Sequence, residues 1–180
     1  MSLTVVTLCT GNAARSVMAG MMLQQLGDFE GLDIDIITAG THAIEGQPMS
    51  IRTRRALETI DGLDMSRAIG HRSHQLTPSD VDAADVIVGM EADHVAYVRR
   101  VHPDAAAKAV TLRRLVADLG VDAVPFSERL AAMDVDSVDL SVEIDVVDPA
   151  GGEQEDYDRC AGEIWELCQV LVTLLGDDTY

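Results

Sequence analysis

The residues best suited to chemistry lie together at Cys9–Ser16, Cys-Thr-Gly-Asn-Ala-Ala-Arg-Ser. Thr10, Gly11, Asn12, Ala13 and Ala14 separate the cysteine from Arg15. An apolar, β-branched run, Leu3–Leu8, precedes the cysteine. Val17, Met18, Met21, Met22 and Leu26 follow the arginine at helical spacing. A loop of this length between strand and helix curls so that successive backbone N–H groups converge on one centre. That arrangement is an anion nest at a helix N-terminus. Gly11 supplies backbone freedom at the first bend, and Asn12 tolerates the left-handed conformation while bracing the loop. Arg15 adds a planar fork that can hold two phosphate oxygens. The same donors favour a thiolate at Cys9, placed to attack phosphorus in line. Ser16 can hydrogen-bond that sulfur when it becomes the leaving group. An isolated Cys and Arg at this spacing are more often a core thiol and an exposed helix residue. The preceding strand, the Gly-Asn bend, the Arg-Ser ending and the helix favour the nucleophile.

The elements that must hold this loop read as alternating strands and helices. The first helix closes at Gly27, and Ile34, Ile36 and Ile37 make a second strand ended by Thr38-Ala39-Gly40-Thr41. Ile51–Ile60 reads as a helix, His71–Pro78 as a loop, and Thr77-Pro78-Ser79-Asp80 as a helix start. Asp85–Met90 is a third strand, a helix runs from Glu91 to Val101, and Ala109–Leu112 is a short fourth strand. Tyr157–Leu175 is a long amphipathic helix with Cys160, Ile164, Leu167, Cys168, Leu171 and Leu175 on one stripe. The pattern predicts an α/β fold, a single doubly wound domain whose four-stranded parallel sheet is flanked by helices. Ligands of such sheets bind beyond the carboxyl ends of strands, and Cys9 falls at one. The acidic segment Val121–Val147 reads as an enlargement. Within it Val138, Leu140, Val142, Ile144 and Val146 alternate with other residues, which predicts an added edge strand over 138–146.

At 180 residues the chain fits one domain. Its 13 basic and 31 acidic residues give a net charge of −18, which argues against nucleic acid and against an anionic membrane surface. An anionic ligand must then be held by local donors against the global field. Three cysteines spread along the chain do not make a disulfide framework and fit a reducing cytoplasm. Leu3–Leu8 is too short for a signal peptide or a membrane span. His42, His71, His74, His94 and His102 lack zinc-site spacing, and no Walker loop occurs. The reading calls for no metal and no cofactor.

In their order these motifs resemble the low-molecular-weight protein tyrosine phosphatase family, whose superfamily includes the thioredoxin-coupled arsenate reductases. The family loop C-x-G-N-x-x-R-S is matched by Cys9, Gly11, Asn12, Arg15 and Ser16. Thr38-Ala39-Gly40-Thr41 stands where the family has S-A-G-T. His71-Arg72 with Gln75-Leu76-Thr77, Asp85–Met90 and a late Asp148-Pro149 follow in order. The likeness spans nearly the whole chain except Val121–Val147. It implies metal-independent hydrolysis of a phosphomonoester, on a protein or a small molecule, through a phosphocysteine at Cys9. Thr10, Gly11, Asn12, Ala13, Ala14 and Arg15 would bind the phosphate. Asp148 would be the acid for the leaving group and then the base for water. His71 would buttress the loop through Asn12 and Thr38.

Three positions depart from the family pattern. Ala150 replaces the aromatic residue expected after Asp148-Pro149, and the opposite aromatic wall falls on Ala43 or Ile44. These losses put phosphotyrosine preference in question. Ala14 replaces the second loop cysteine, so no disulfide with Cys9 forms inside the loop. A thioredoxin-coupled reductase would need further mid-chain cysteines, whereas Cys160 and Cys168 read as core. Two alternatives stay open: an arsenate reductase using a small external thiol, and a non-catalytic phospho-ligand binding protein.

Overall fold

In this computed structural model, which describes residues 2–142 and 145–176, a first strand buried over five consecutive residues, Val5–Cys9, sets the layering. The elements in chain order are β1 (Leu3–Cys9), α1 (Arg15–Glu30), β2 (Ile34–Gly40), α2 (Ile51–Glu58) and α3 (Pro78–Ala83). β3 (Val86–Gly89), α4 (Ala92–Val101), β4 (Ala109–Thr111), α5 (Leu112–Asp118), α6 (Phe126–Ala132) and α7 (Gln154–Gly176) follow. β1 pairs in parallel with β2 on one side and β3 on the other, and β4 continues from β3. The order β2-β1-β3-β4 is the four-stranded parallel sheet that the periodicity predicts.

Both faces of the sheet are covered. Val5, Val86, Val88 and Val110 face α1, α5 and α7, whose Met18, Met22, Leu115, Ile164 and Leu171 are buried against them. Val6, Leu8 and Ile87 face α3 and α4 through Val81, Val95 and Val98. Strands buried on both faces explain why β1 and β3 read as continuous apolar runs. Local signals set the helix ends. Thr77 and Asp80 form a reciprocal capping box on α3, and Ser50 accepts the amide of Thr53 to cap α2. α1 runs past Gly27 to Glu30, and the left-handed residue that ends it is Gly31, at φ 73°.

Over the described residues of 138–146 the expected edge strand does not form. Leu140–Val142 make a 3-10 turn, and Glu143 and Ile144 lie outside the described residues. Two acidic side chains of the alternating pattern bond to backbone instead. Asp139 accepts the Ser141 amide at 2.9 Å, and Asp145 accepts the Ala92 amide at 2.7 Å. Such bonds compete with a strand ladder. Val146 is buried, and its amide donates to Met90 O at 2.9 Å. The segment thereby lies against the end of β3.

α1 approaches β2 closely because Gly20 has no side chain. A Cβ there would stand 2.5 Å from Thr38 Cγ2 and 3.2 Å from Ile36 Cγ2. Gly20→Val is expected to lower the unfolding free energy by about 1–3 kcal/mol through overpacking. Urea denaturation measures this, and an unchanged midpoint would contradict the tight packing.

Candidate active site

The chain leaves β1 for β2 on one side and β3 on the other, so the carboxyl end of β1 is the sheet's switch point. Cys9 ends that strand on the same face as Val5 and Thr7. Thr7 Oγ1 donates to Ser16 O at 2.8 Å and so ties the strand to the first turn of α1. Ala14 occupies the N-cap of α1 without a side chain that can cap. The first-turn amides therefore remain directed at the loop.

Cys9 is buried, with Sγ 3.0 Å from Ser16 Oγ. Asn12 Nδ2 donates to the same hydroxyl at 2.9 Å, which leaves the Ser16 proton to point at sulfur. Asn12, at φ 49°, is the loop's left-handed residue. The freedom assigned to Gly11 is therefore used one position later. Three contacts fix Asn12 from outside. Its Oδ1 accepts the His74 amide, and its carbonyl accepts Ser73 Oγ and His71 Nε2, each at 2.9 Å. Because a carbonyl only accepts, His71 carries its proton on Nε2. Burial pushes this imidazole below its ordinary value, and the bond to Asn12 opposes that shift. Thr53 Oγ1 donates to Ala13 O at 2.9 Å. In a planar trans peptide the N–H points opposite the carbonyl. Holding the carbonyls of Asn12 and Ala13 outward thus turns the next two amides inward.

Arg15 is 1% exposed. Its Nη1 lies 2.7 Å from Glu91 Oε1 and donates to Val146 O at 2.9 Å, and its Nη2 lies 3.0 Å from Asp148 Oδ2. These contacts engage three of the five guanidinium hydrogens, leaving Nε–H and one on Nη2. Asp148 Oδ1 accepts the Ala150 amide at 3.0 Å, and Arg52 Nη1 donates to Gly152 O at 2.6 Å. Asp148 thus sits in a braced turn with a partly exposed carboxylate. The close approach of β2 to the loop depends on Gly40, where a Cβ would stand 2.7 Å from Thr10 O and 3.0 Å from Asn12 N.

The structure brings Cys9, the loop residues Thr10–Ala14, Arg15, Ser16, His71 and Asp148 together. Thr38 is placed apart from His71: it pairs with Thr7 across the strands, and its methyl group faces Gly20. Cys160 and Cys168 are buried on α7. Burial pushes the Cys160 thiol up to about 12 and raises that of Cys168 as well, which fits core thiols. Glu91 and His94 were not among the expected site residues. Their only sequence signal is position, just beyond a strand's carboxyl end. Ala43 or Ile44 on one side and Ala150 on the other leave the two expected wall positions without rings. His42 does stand beside the loop, donating its amide to Thr10 O at 2.9 Å, with its ring edge-on to Tyr97.

A strand ending in a cysteine and a loop of inward amides closed by a buried arginine define a cysteine-based oxyanion site. Residues 4–125 match the sequence profile described as "Low molecular weight phosphotyrosine protein phosphatase". The chain belongs to that family, and it is a phosphatase of it. A protein-arginine-phosphatase of Bacillus subtilis (strain 168) is 25% identical over 174 residues, covering 97% of each chain. A probable low molecular weight protein-tyrosine-phosphatase, EpsP, of Ralstonia nicotianae is 34% identical over 102 residues. That match covers 56% of this chain and 63% of EpsP. The crystal structure of a low molecular weight protein tyrosine phosphatase from T. tengcongensis superposes with a TM-score of 0.75. It is 27% identical, and the match covers 95% of this chain and 98% of that one.

His94 gives the fold a testable pH dependence. Burial first, with the charges of Arg15 and His42 adding to it, lowers His94 to about 3. The unfolded ring, near 6.5, takes up a proton that the folded ring refuses. Stability is therefore complete above about pH 6.5 and falls as the pH drops toward 3, by up to about 1.4 kcal/mol per unit for one proton. Urea denaturation at pH 7.5 and 5 should show that loss in the native sequence and a smaller one in His94→Gln. Equal losses would contradict the assignment.

Proposed function

We propose that this protein removes phosphoryl groups from phosphorylated protein side chains, with Cys9 as nucleophile. The observation that carries this reading is the pairing of Cys9 Sγ with Ser16 Oγ inside a loop closed by Arg15, itself held by Glu91, Val146 and Asp148. The amides of Thr10 to Arg15 and the two remaining guanidinium hydrogens bind the equatorial oxygens. The Cys9 thiolate attacks phosphorus and displaces the side-chain leaving group. As the acid, Asp148 protonates that group. An arriving dianion competes with Asp148 for Arg15, which frees the carboxyl to turn toward the leaving atom. The same carboxylate then takes a proton from the water that attacks the phosphocysteine. Sulfur leaves as thiolate, stabilised by the Ser16 hydroxyl, and phosphate is released. Every group in this cycle comes from the chain, so the reaction proceeds without a metal ion.

Phosphoarginine suits the site better than phosphotyrosine. Ala43 and Ala150 offer no ring to stack on a phenol. Glu91 and Asp148 flank Arg15, and Asp145 bonds the Ala92 amide next to Glu91, so carboxylates stand where a guanidinium leaving group would depart. The relative that covers 97% of this chain is itself an arginine phosphatase. Reducing cytoplasm is the compartment this reading assumes, since Cys9 must stay a free thiol. Among the described residues no helix is long and apolar enough to cross a membrane.

Turnover of an aryl phosphate in EDTA tests the chemistry. Cys9→Ser should be inactive, and Asp148→Asn should lose at least about tenfold, more for poorer leaving groups. Phosphate binding without turnover by the native chain would instead indicate a phospho-ligand binding protein. Comparing kcat/KM on phosphoarginine and phosphotyrosine peptides tests the substrate, with the first expected to be higher. A phosphotyrosine preference would overturn that choice.

A further inference from the structure

His94 is a buried polar side chain against the loop that the reaction above does not use. It is 2% exposed, in the first turn of α4. The Glu91 amide donates to its Nδ1 at 3.0 Å. An amide cannot accept, so Nδ1 presents its lone pair and the neutral ring carries its proton on Nε2. Nε2 lies 3.1 Å from Thr10 Oγ1 and 3.6 Å from Glu91 Oε2. The nearer oxygen is the better-placed acceptor. When Thr10 Oγ1 accepts from His94, its own hydroxyl proton remains to be donated elsewhere. Thr10 is exposed and follows Cys9 directly, and the amide of His42 holds its carbonyl. One helical turn therefore grips the loop at both ends, Glu91 on Arg15 and His94 on Thr10.

We propose that His94 is a positioning residue of the oxyanion loop: by donating Nε2–H to Thr10 Oγ1, it aims the Thr10 hydroxyl proton at a phosphoryl oxygen of the bound group. Thr10 is the residue that touches substrate, and His94 acts through it. The proposal rests on the phosphatase reading and adds to it a donor that is not backbone or guanidinium.

Thr10→Val, Thr10→Ser, His94→Leu and the double variant Thr10→Val/His94→Leu test it. Each is assayed for kcat and KM on an aryl phosphate and for inhibition by inorganic phosphate. Thr10→Val should weaken phosphate inhibition and raise KM by about fivefold, the worth of one neutral hydrogen bond. Thr10→Ser, which keeps the hydroxyl, should recover most of the phosphate affinity that Thr10→Val loses. His94→Leu, which has no donor, should match Thr10→Val, and the double variant should be no worse than either, because both remove one interaction. Additive losses, or a Thr10→Val enzyme with native phosphate affinity, would overturn the proposal. If His94→Leu does not fold, the Thr10 pair and ring-nitrogen NMR of the native protein decide it. That spectrum should show the Nε2–H tautomer at His94, and an Nδ1–H tautomer would overturn it. Failure of the phosphatase reading looks different: turnover would survive Cys9→Ser, or be absent in the native chain. Phosphate binding and the NMR tautomer would still judge His94 in that case.

Discussion

The site depends on keeping one guanidinium buried and aimed. Arg15 is almost fully shielded from water, and an unpaired cation there would be costly. Glu91 and Asp148 supply the compensating charge, and Val146 O takes a further hydrogen. These partners come from the start of α4 and the segment before α7, far from Arg15 in sequence. Long-range structure is therefore needed to hold a loop whose own residues are contiguous. The Val146 amide is held by Met90 O, and the Ala92 amide by Asp145, so the two partner segments are also tied to each other.

The chain is acidic, yet the site is built to hold an anion. Backbone amides resolve the conflict, because they donate without carrying net charge and act at short range. Their orientation is imposed from outside the loop. His71, Ser73 and Thr53 hold two carbonyls outward, and the peptide planes turn the following amides in. Gly40 allows β2 to approach closely enough for that outer layer to reach the loop. Preorganised donors of this kind need no rearrangement as charge develops in the transition state.

How much of this was legible in the sequence follows from the range of each interaction. Cys9, Arg15 and Ser16 lie within one strand-loop-helix unit, so their spacing together with the flanking strand, Gly-Asn bend and helix suggested their chemistry. β1 and β3 were legible because burial on both faces leaves nearly continuous apolar runs, while β2, with Asp35 exposed, showed itself through Ile34, Ile36 and Ile37. Glu91 and His94 were not legible: a helix start bearing Glu and His is common, and only the parallel sheet carries it beside β1. The 138–146 alternation misled because Asp139 bonds the nearby Ser141 amide and Asp145 the distant Ala92 amide, contacts a strand ladder would not make. The α5 helix was hidden for another reason, since its few buried residues, such as Leu112 and Leu115, offer little periodicity.

The central claim is that the sulfur of Cys9 becomes covalently phosphorylated during turnover. Acid quenching within milliseconds of mixing with an aryl phosphate, followed by peptide mass spectrometry, tests it directly. The account predicts one added phosphoryl mass on the peptide containing Cys9, accumulating further when water attack is slowed by Asp148→Asn on an activated ester. Product formation with that peptide always unmodified, or with the added mass on another residue, would contradict it.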